Sequence, residues 1–90
     1  MRYLAYPLAI AICAFTACAT QEHMAQSAQI SMAEATRTAE AAVPDGRAKT
    51  THLEREGDRT VYEVELVDRN DNTRTVWVDA QTGRIVKTDR

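Results

Sequence analysis

The stretch from Thr60 to Lys87, TVYEVELVDRNDNTRTVWVDAQTGRIVK, holds three runs of alternating apolar and polar residues, separated by two turn-forming clusters. Strict alternation is the period of a half-buried strand and does not fit a helix. In the first run Tyr62, Val64 and Leu66 share one face, and Glu63 and Glu65 share the other. Just upstream, Gly57-Asp58 reads as a two-residue hairpin turn of type II′, with glycine supplying the positive φ. That turn pairs the run with Arg47–Glu56. It sets Leu53 opposite Tyr62, Thr51 opposite Val64, and His52 opposite Glu63.

The next connection is decided by parity. A four-residue loop over Arg69–Asn72 throws Val76 and Val78 onto the glutamate face and splits the core. A three-residue loop, Asn70-Asp71-Asn72, sets Leu66 opposite Val76 and Val64 opposite Val78, with Asn72 left-handed. A one-residue slip reverses every side chain, so the apolar pattern selects the three-residue loop. Gln81-Thr82-Gly83 repeats the device with Gly83 left-handed, which brings Val86 beside Val78.

Upstream the period changes to that of a helix. Ser31-Met32-Ala33-Glu34 is a capping box, and Ile30 before it is placed to staple against Ala35. Met32, Ala35, Thr36, Ala39, Ala42 and Val43 recur at three- and four-residue spacing. Pro44-Asp45-Gly46 ends the helix, with Gly46 taking the turn. The expected fold is α+β, one N-terminal helix packed on a four-stranded antiparallel β-meander. Its expected core is Met32, Ala35, Ala39, Val43, Leu53, Tyr62, Val64, Leu66, Val76, Val78 and Val86.

The 90 residues allow one such domain. Met1–Ala19 reads as a signal peptide, with Arg2 followed by the apolar run LAYPLAIAICAFTA. Two processing sites compete. Ala17-Cys18-Ala19 has the small-x-small form of an ordinary cut site, and Phe15-Thr16-Ala17-Cys18 resembles a bacterial lipobox, which makes Cys18 a lipidation site. Residues 20–29 read as a flexible tether, and 30–90 as the domain. Cys13 leaves with the leader, so no disulfide framework is expected. The chain has 11 Lys and Arg against 13 Asp and Glu, and Arg2 is the one charge before Glu22. This mixed, mildly acidic balance provides no basic stripe for nucleic acid and no polybasic segment for lipid. A lipid on Cys18 is the favoured membrane attachment; the apolar run is shorter than the roughly 20 residues that span a bilayer comfortably, which disfavours the alternative of a retained anchor.

The order of these pieces resembles the PepSY domain. The matching residues are Ile30-Ser31 with Glu34-Ala35 at the helix start, Tyr62-Glu63-Val64 in a central strand, and Val76-Trp77-Val78-Asp79-Ala80 followed by Thr82-Gly83. The resemblance covers Ile30 to Thr88. One departure is Asn70-Asp71-Asn72, where Asp-Gly is common in the family. The resemblance implies a non-catalytic role in inhibiting or regulating peptidases outside the cytoplasm.

The residue inventory agrees with binding over catalysis. His23 sits alone in the tether, and His52 faces Glu63 as a surface cross-strand pair. Asp68-Arg69-Asn70-Asp71-Asn72 echoes a calcium loop, but the sixth position is Thr73 where glycine is needed, and the twelfth is Asp79. It reads as turn chemistry, as does Asp79. No catalytic residue, cofactor or metal site is assigned. Trp77 points away from the helix on the face shared by Val61, Val67 and Ile85, either lying against the stems of Glu65 and Lys87 or forming a partner-docking patch. The function expected is an exported, non-catalytic module, periplasmic, outer-membrane-anchored or secreted, whose partner is a protein of the peptidase class. The alternative is a structural or assembly lipoprotein of the envelope.

Overall fold

The computed structural model describes residues 22–89. A short helix, α1, occupies 22–27 and is followed by α2, Met32–Ala42. Four strands follow: β1 Arg47–Glu56, β2 Arg59–Val67, β3 Thr73–Asp79 and β4 Ile85–Asp89. They form one antiparallel sheet in the order β1-β2-β3-β4, with α2 packed on one face.

The capping signal works as read at one of its two bonds: the Ser31 hydroxyl accepts the Glu34 amide at 3.1 Å. The helix ends at Val43, and the left-handed residue beyond it is Asp45, φ 56°, where Gly46 was expected. Gly46 is needed for space instead, since a Cβ there would lie 2.9 Å from both the Cβ and the carbonyl oxygen of Val43. Ala35 and Ala39 are fully buried and let α2 approach the sheet closely. Thr36 and Thr51 join helix to β1 through their hydroxyls at 2.8 Å.

The first hairpin has the expected register, with Leu53 opposite Tyr62, Thr51 opposite Val64 and Gly57 at φ 66°. A bulge between Ala48 and Thr50 interrupts it, and Glu40 of α2 accepts the Ala48 amide there at 2.9 Å. The second hairpin corrects the sequence reading. Its loop is Arg69-Asn70-Asp71, closed by bonds from the Asp71 amide to the Asp68 carbonyl and from the Asp68 amide to the Asn72 carbonyl, both 3.0 Å. Asp71, φ 63°, is the left-handed residue, not Asn72. Val64 therefore pairs with Val76, and Tyr62 with Val78. The loop centre moved by one residue and the register by two, so every side chain kept its face.

The third hairpin closes one residue wider than read, from the Asp79 amide to the Arg84 carbonyl at 2.8 Å, with Gly83 left-handed at φ 78°. A bulge at Trp77/Val78 absorbs the difference and makes Ile85, not Val86, the register partner of Val78. Val86 is only half-buried and stands outside the core. Met32, expected inside, is 47% exposed.

Ala80 and Met24 take places in the core that the sequence pattern left unassigned. Met24 belongs to α1, in the stretch read as a tether. The Ala80 carbonyl explains why that stretch is held: it accepts the amides of Gln29 at 2.8 Å and Ile30 at 3.1 Å. The Tyr62 hydroxyl donates to the Ile30 carbonyl at 2.8 Å, and the Gln81 side-chain amide donates to Ser27 at 2.7 Å. Burial raises the Tyr62 pKa above the ordinary tyrosine value. The signal-peptide and Cys18 readings lie outside the described residues.

Candidate functional site

The sheet has one covered face and one open face. Pairing places His52, Glu54, Val61, Glu63, Glu65, Trp77 and Lys87 away from α2. Trp77 is half-buried there, between Glu63 on β2 and Lys87 on β4. The Lys87 ammonium stands 4.2 Å from the centre of its ring, within cation–π range. The same ammonium meets the Glu56 carboxylate at 3.2 Å. Glu56 ends the opposite edge strand, so this bridge crosses β2 and β3.

The four residues expected to form a docking patch differ in their placement on this face. Val61 is 0% exposed although, among the described residues, no helix packs on its side of the sheet. It is flanked in register by Glu54 and Asp79, and the Glu56–Lys87 bridge crosses its end of the sheet. Long charged side chains can cover apolar surface with their stems while their heads remain in water. Val67 is half-buried at the far end of β2. Ile85 is 39% exposed, but the bulge matches it to Val78 and removes it from the Trp77–Lys87 row. Of the four residues read as one patch, Trp77 alone sits at the centre of the open face.

Two aspartates organise the hairpins beside this face. Asp68 Oδ1 accepts the amides of Asn70 at 2.9 Å and Asn72 at 3.0 Å. The Asn72 bond is the main cause of its pKa lying below the ordinary aspartate value. Asp79 Oδ1 accepts the amides of Gln81 at 2.7 Å and Thr82 at 3.0 Å, and Arg59 stands 3.5 Å from the other oxygen. The Gln81 bond leads in lowering its pKa. A surface concavity at the second hairpin is lined by Asp68, Asn72, Thr73 and Arg74, whose polar groups include an Asp68 carboxylate already committed to turn amides. Among the described residues, no buried side-chain polar atom lacks a partner.

His52 lies across from Glu63 as expected, its Nε2 2.9 Å from Oε1. The structure adds a third group that sequence reasoning missed: Glu54 Oε2 is 3.5 Å from the same nitrogen. The signal was present as a two-residue spacing on one strand, which puts His52 and Glu54 on one face.

Comparison with known proteins comes to the same architecture. A family model described as PepSY, peptidase propeptide and YPEB domain, matches residues 29–89. The YpmB protein from Bacillus subtilis has a similar structure, with a TM-score of 0.63 and 30% sequence identity, over 71% of this chain and 49% of its own. The chain thus spans about half the length of that protein. No curated protein sequence matches it. Among the described residues, no helix is long and apolar enough to cross a membrane.

Proposed function

The chain belongs to the PepSY family, and from that premise we propose that it is an exported, non-catalytic module that binds a peptidase of the cell envelope and restrains it. The observation that carries this reading is Trp77, held outside the helix-covered core beneath a single lysine. Tryptophan is the residue type most enriched at binding hot spots, and a partner needs only to move Lys87 to reach the ring. Val67, half-buried, and Ile85, 39% exposed, supply apolar surface toward the margins. The edge strands β1 and β4 offer backbone groups to an extended peptide. The family description, with its peptidase propeptides, supplies the partner class. Export rests on the leader read in Met1–Ala19: an ordinary cut would leave the domain in the periplasm, and a cut before Cys18 would leave it held at the outer membrane by that lipidated residue.

The test is peptidase activity. The processed chain, purified from the envelope, is immobilised and exposed to envelope extract. The retained activity is then titrated with the free chain. The expected result is retention and inhibition by the wild type, and a loss of affinity of about 30-fold for Trp77→Ala, the size of a hot spot. No retained activity, or equal inhibition by both proteins, overturns the reading.

A further inference from the structure

We propose that His52, Glu54 and Glu63 form a surface site for one zinc-type divalent ion on the open face of the sheet. The ligand atoms His52 Nε2, Glu54 Oε2 and Glu63 Oε1 lie within 4.8 Å of one another. Nε2 is 3.5 Å from the first carboxylate oxygen and 2.9 Å from the second. Ligands about 2.0–2.1 Å from a tetrahedral zinc stand roughly 3.3 Å apart, so both histidine–carboxylate spacings are within a few tenths of an ångström of that value, and the two carboxylates close the remaining side by side-chain rotation. The arrangement is built into the backbone. His52 and Glu54 are alternate residues of β1, and Glu63 is the register partner of His52 on β2. The ladder therefore holds all three Cα positions.

Charge points the same way. Asp45, Glu56, Asp68, Asp71 and Asp79 each have a Lys or Arg partner. Among the described residues Glu54 and Glu63 are bridged to no Lys or Arg; Glu65 and other acids share that, but these two are distinguished by converging on one imidazole. A divalent ion neutralises the pair. On binding, the ion takes the place of the Nε2 proton, and the neutral ring keeps its proton on Nδ1. One nitrogen and two carboxylates suit zinc. Calcium takes six to eight oxygens, more than these residues offer. Three protein ligands leave a fourth position for water or for a ligand from a partner. Glu63 is also the register partner of Trp77, so the ion would border the proposed docking surface without depending on it.

The experiment is a Zn2+ titration of the full chain, followed through the histidine ring resonances. Site resolution separates His52 from His23 and from zinc held anywhere else on the chain. The expected result is saturable movement of the His52 ring signals at one equivalent, undisturbed by excess Mg2+. Glu63→Gln, which keeps the shape of the side chain, should weaken the His52 response by at least about 10-fold. His52→Ala should abolish binding at this site, read from the neighbouring β1 and β2 amide resonances. Glu65→Gln removes a carboxylate from the same face and should change nothing. No saturable His52 response at sub-millimolar zinc, or equal affinity in the wild type and Glu63→Gln, overturns the proposal. The titration contains no peptidase, so its failure leaves the inhibition assay untouched, and the converse also holds.

Discussion

The two faces of this sheet solve the same problem by different means. On the covered face, Leu53, Tyr62, Val64, Leu66, Val76 and Val78 meet the alanines of α2 in an apolar layer. On the open face, Val61 reaches the same complete burial with no helix above it. Charged residues surround it: Glu54 and Asp79 are its register partners, and Glu56 is bridged to Lys87, which lies over Trp77. The covered face is fixed by close packing, which has no alternative arrangement of similar energy. The open face is roofed by solvated side chains that rearrange at little cost.

The largest expected effect lies on the covered face. Leu66 is 0% exposed and among the largest fully buried side chains. Leu66→Ala should cost about 2–5 kcal/mol. A domain of this size buries a smaller share of its surface than larger ones do, so that loss consumes most of its stability. Urea denaturation followed by circular dichroism measures it. A cost below about 1 kcal/mol would mean that α2 does not pack on the sheet as described.

A sharper comparison uses two valines of equal burial. Val61 and Val64 are both 0% exposed, one on each face. Each Val→Ala change removes two methyl carbons, worth about 1.5 kcal/mol in transfer free energy. For Val64→Ala a cavity term adds to this, because the surrounding core relaxes only partly. For Val61→Ala the stems of Glu54, Glu56 and Lys87 can settle into the space, so the cost should stay near the transfer value. Paired urea titrations decide it. Equal costs would show the charged roof to be as rigid as the helix-packed core.

The covered face was legible in the sequence because its signal is periodic. Alternation in Tyr62–Leu66 and Val76–Val78 placed those side chains correctly even though the second hairpin loop is centred one residue earlier than read. A register error of two preserves the face, so the pattern tolerates it. The open face was less legible because its arrangement depends on distant pairings. Nothing local in the sequence puts Lys87 against Glu56, and nothing local shows that Val61 is buried. Ile85 left the Trp77 row through a bulge that alternation cannot register. Residues 22–29 had no apolar period, and they are held by Ala80 and Gln81 more than 50 residues along the chain. Met24 is therefore in the core for tertiary reasons alone. His52 and Glu63 were found because a hairpin turn fixed their register, whereas Glu54 sits in β1, the strand with the weakest alternation.

The smallest expected effect concerns acid, and it tests whether the hairpins bordering the open face are tuned by charge. Asp68 and Asp79 have pKa values below the ordinary aspartate value, chiefly because turn amides donate to their ionised carboxylates. The folded state therefore holds on to fewer protons than the unfolded chain as the pH falls. Their contribution to stability is fully present above the unfolded value, near pH 4, and drains away as the pH drops through the lower folded values. The urea midpoint should consequently fall between about pH 5 and pH 2, with no matching change above that window. Both residues are largely buried, 9% and 8% exposed, and the burial of each carboxylate opposes the effect of its turn bonds, so the net decline should be shallow. Asp79→Asn keeps an oxygen for the Gln81 and Thr82 amides but removes the charge facing Arg59. It should flatten part of the slope and leave the portion due to Asp68. A slope unchanged by Asp79→Asn would assign the acid sensitivity to other carboxylates, and Asp79 would then shape its turn by hydrogen bonding alone.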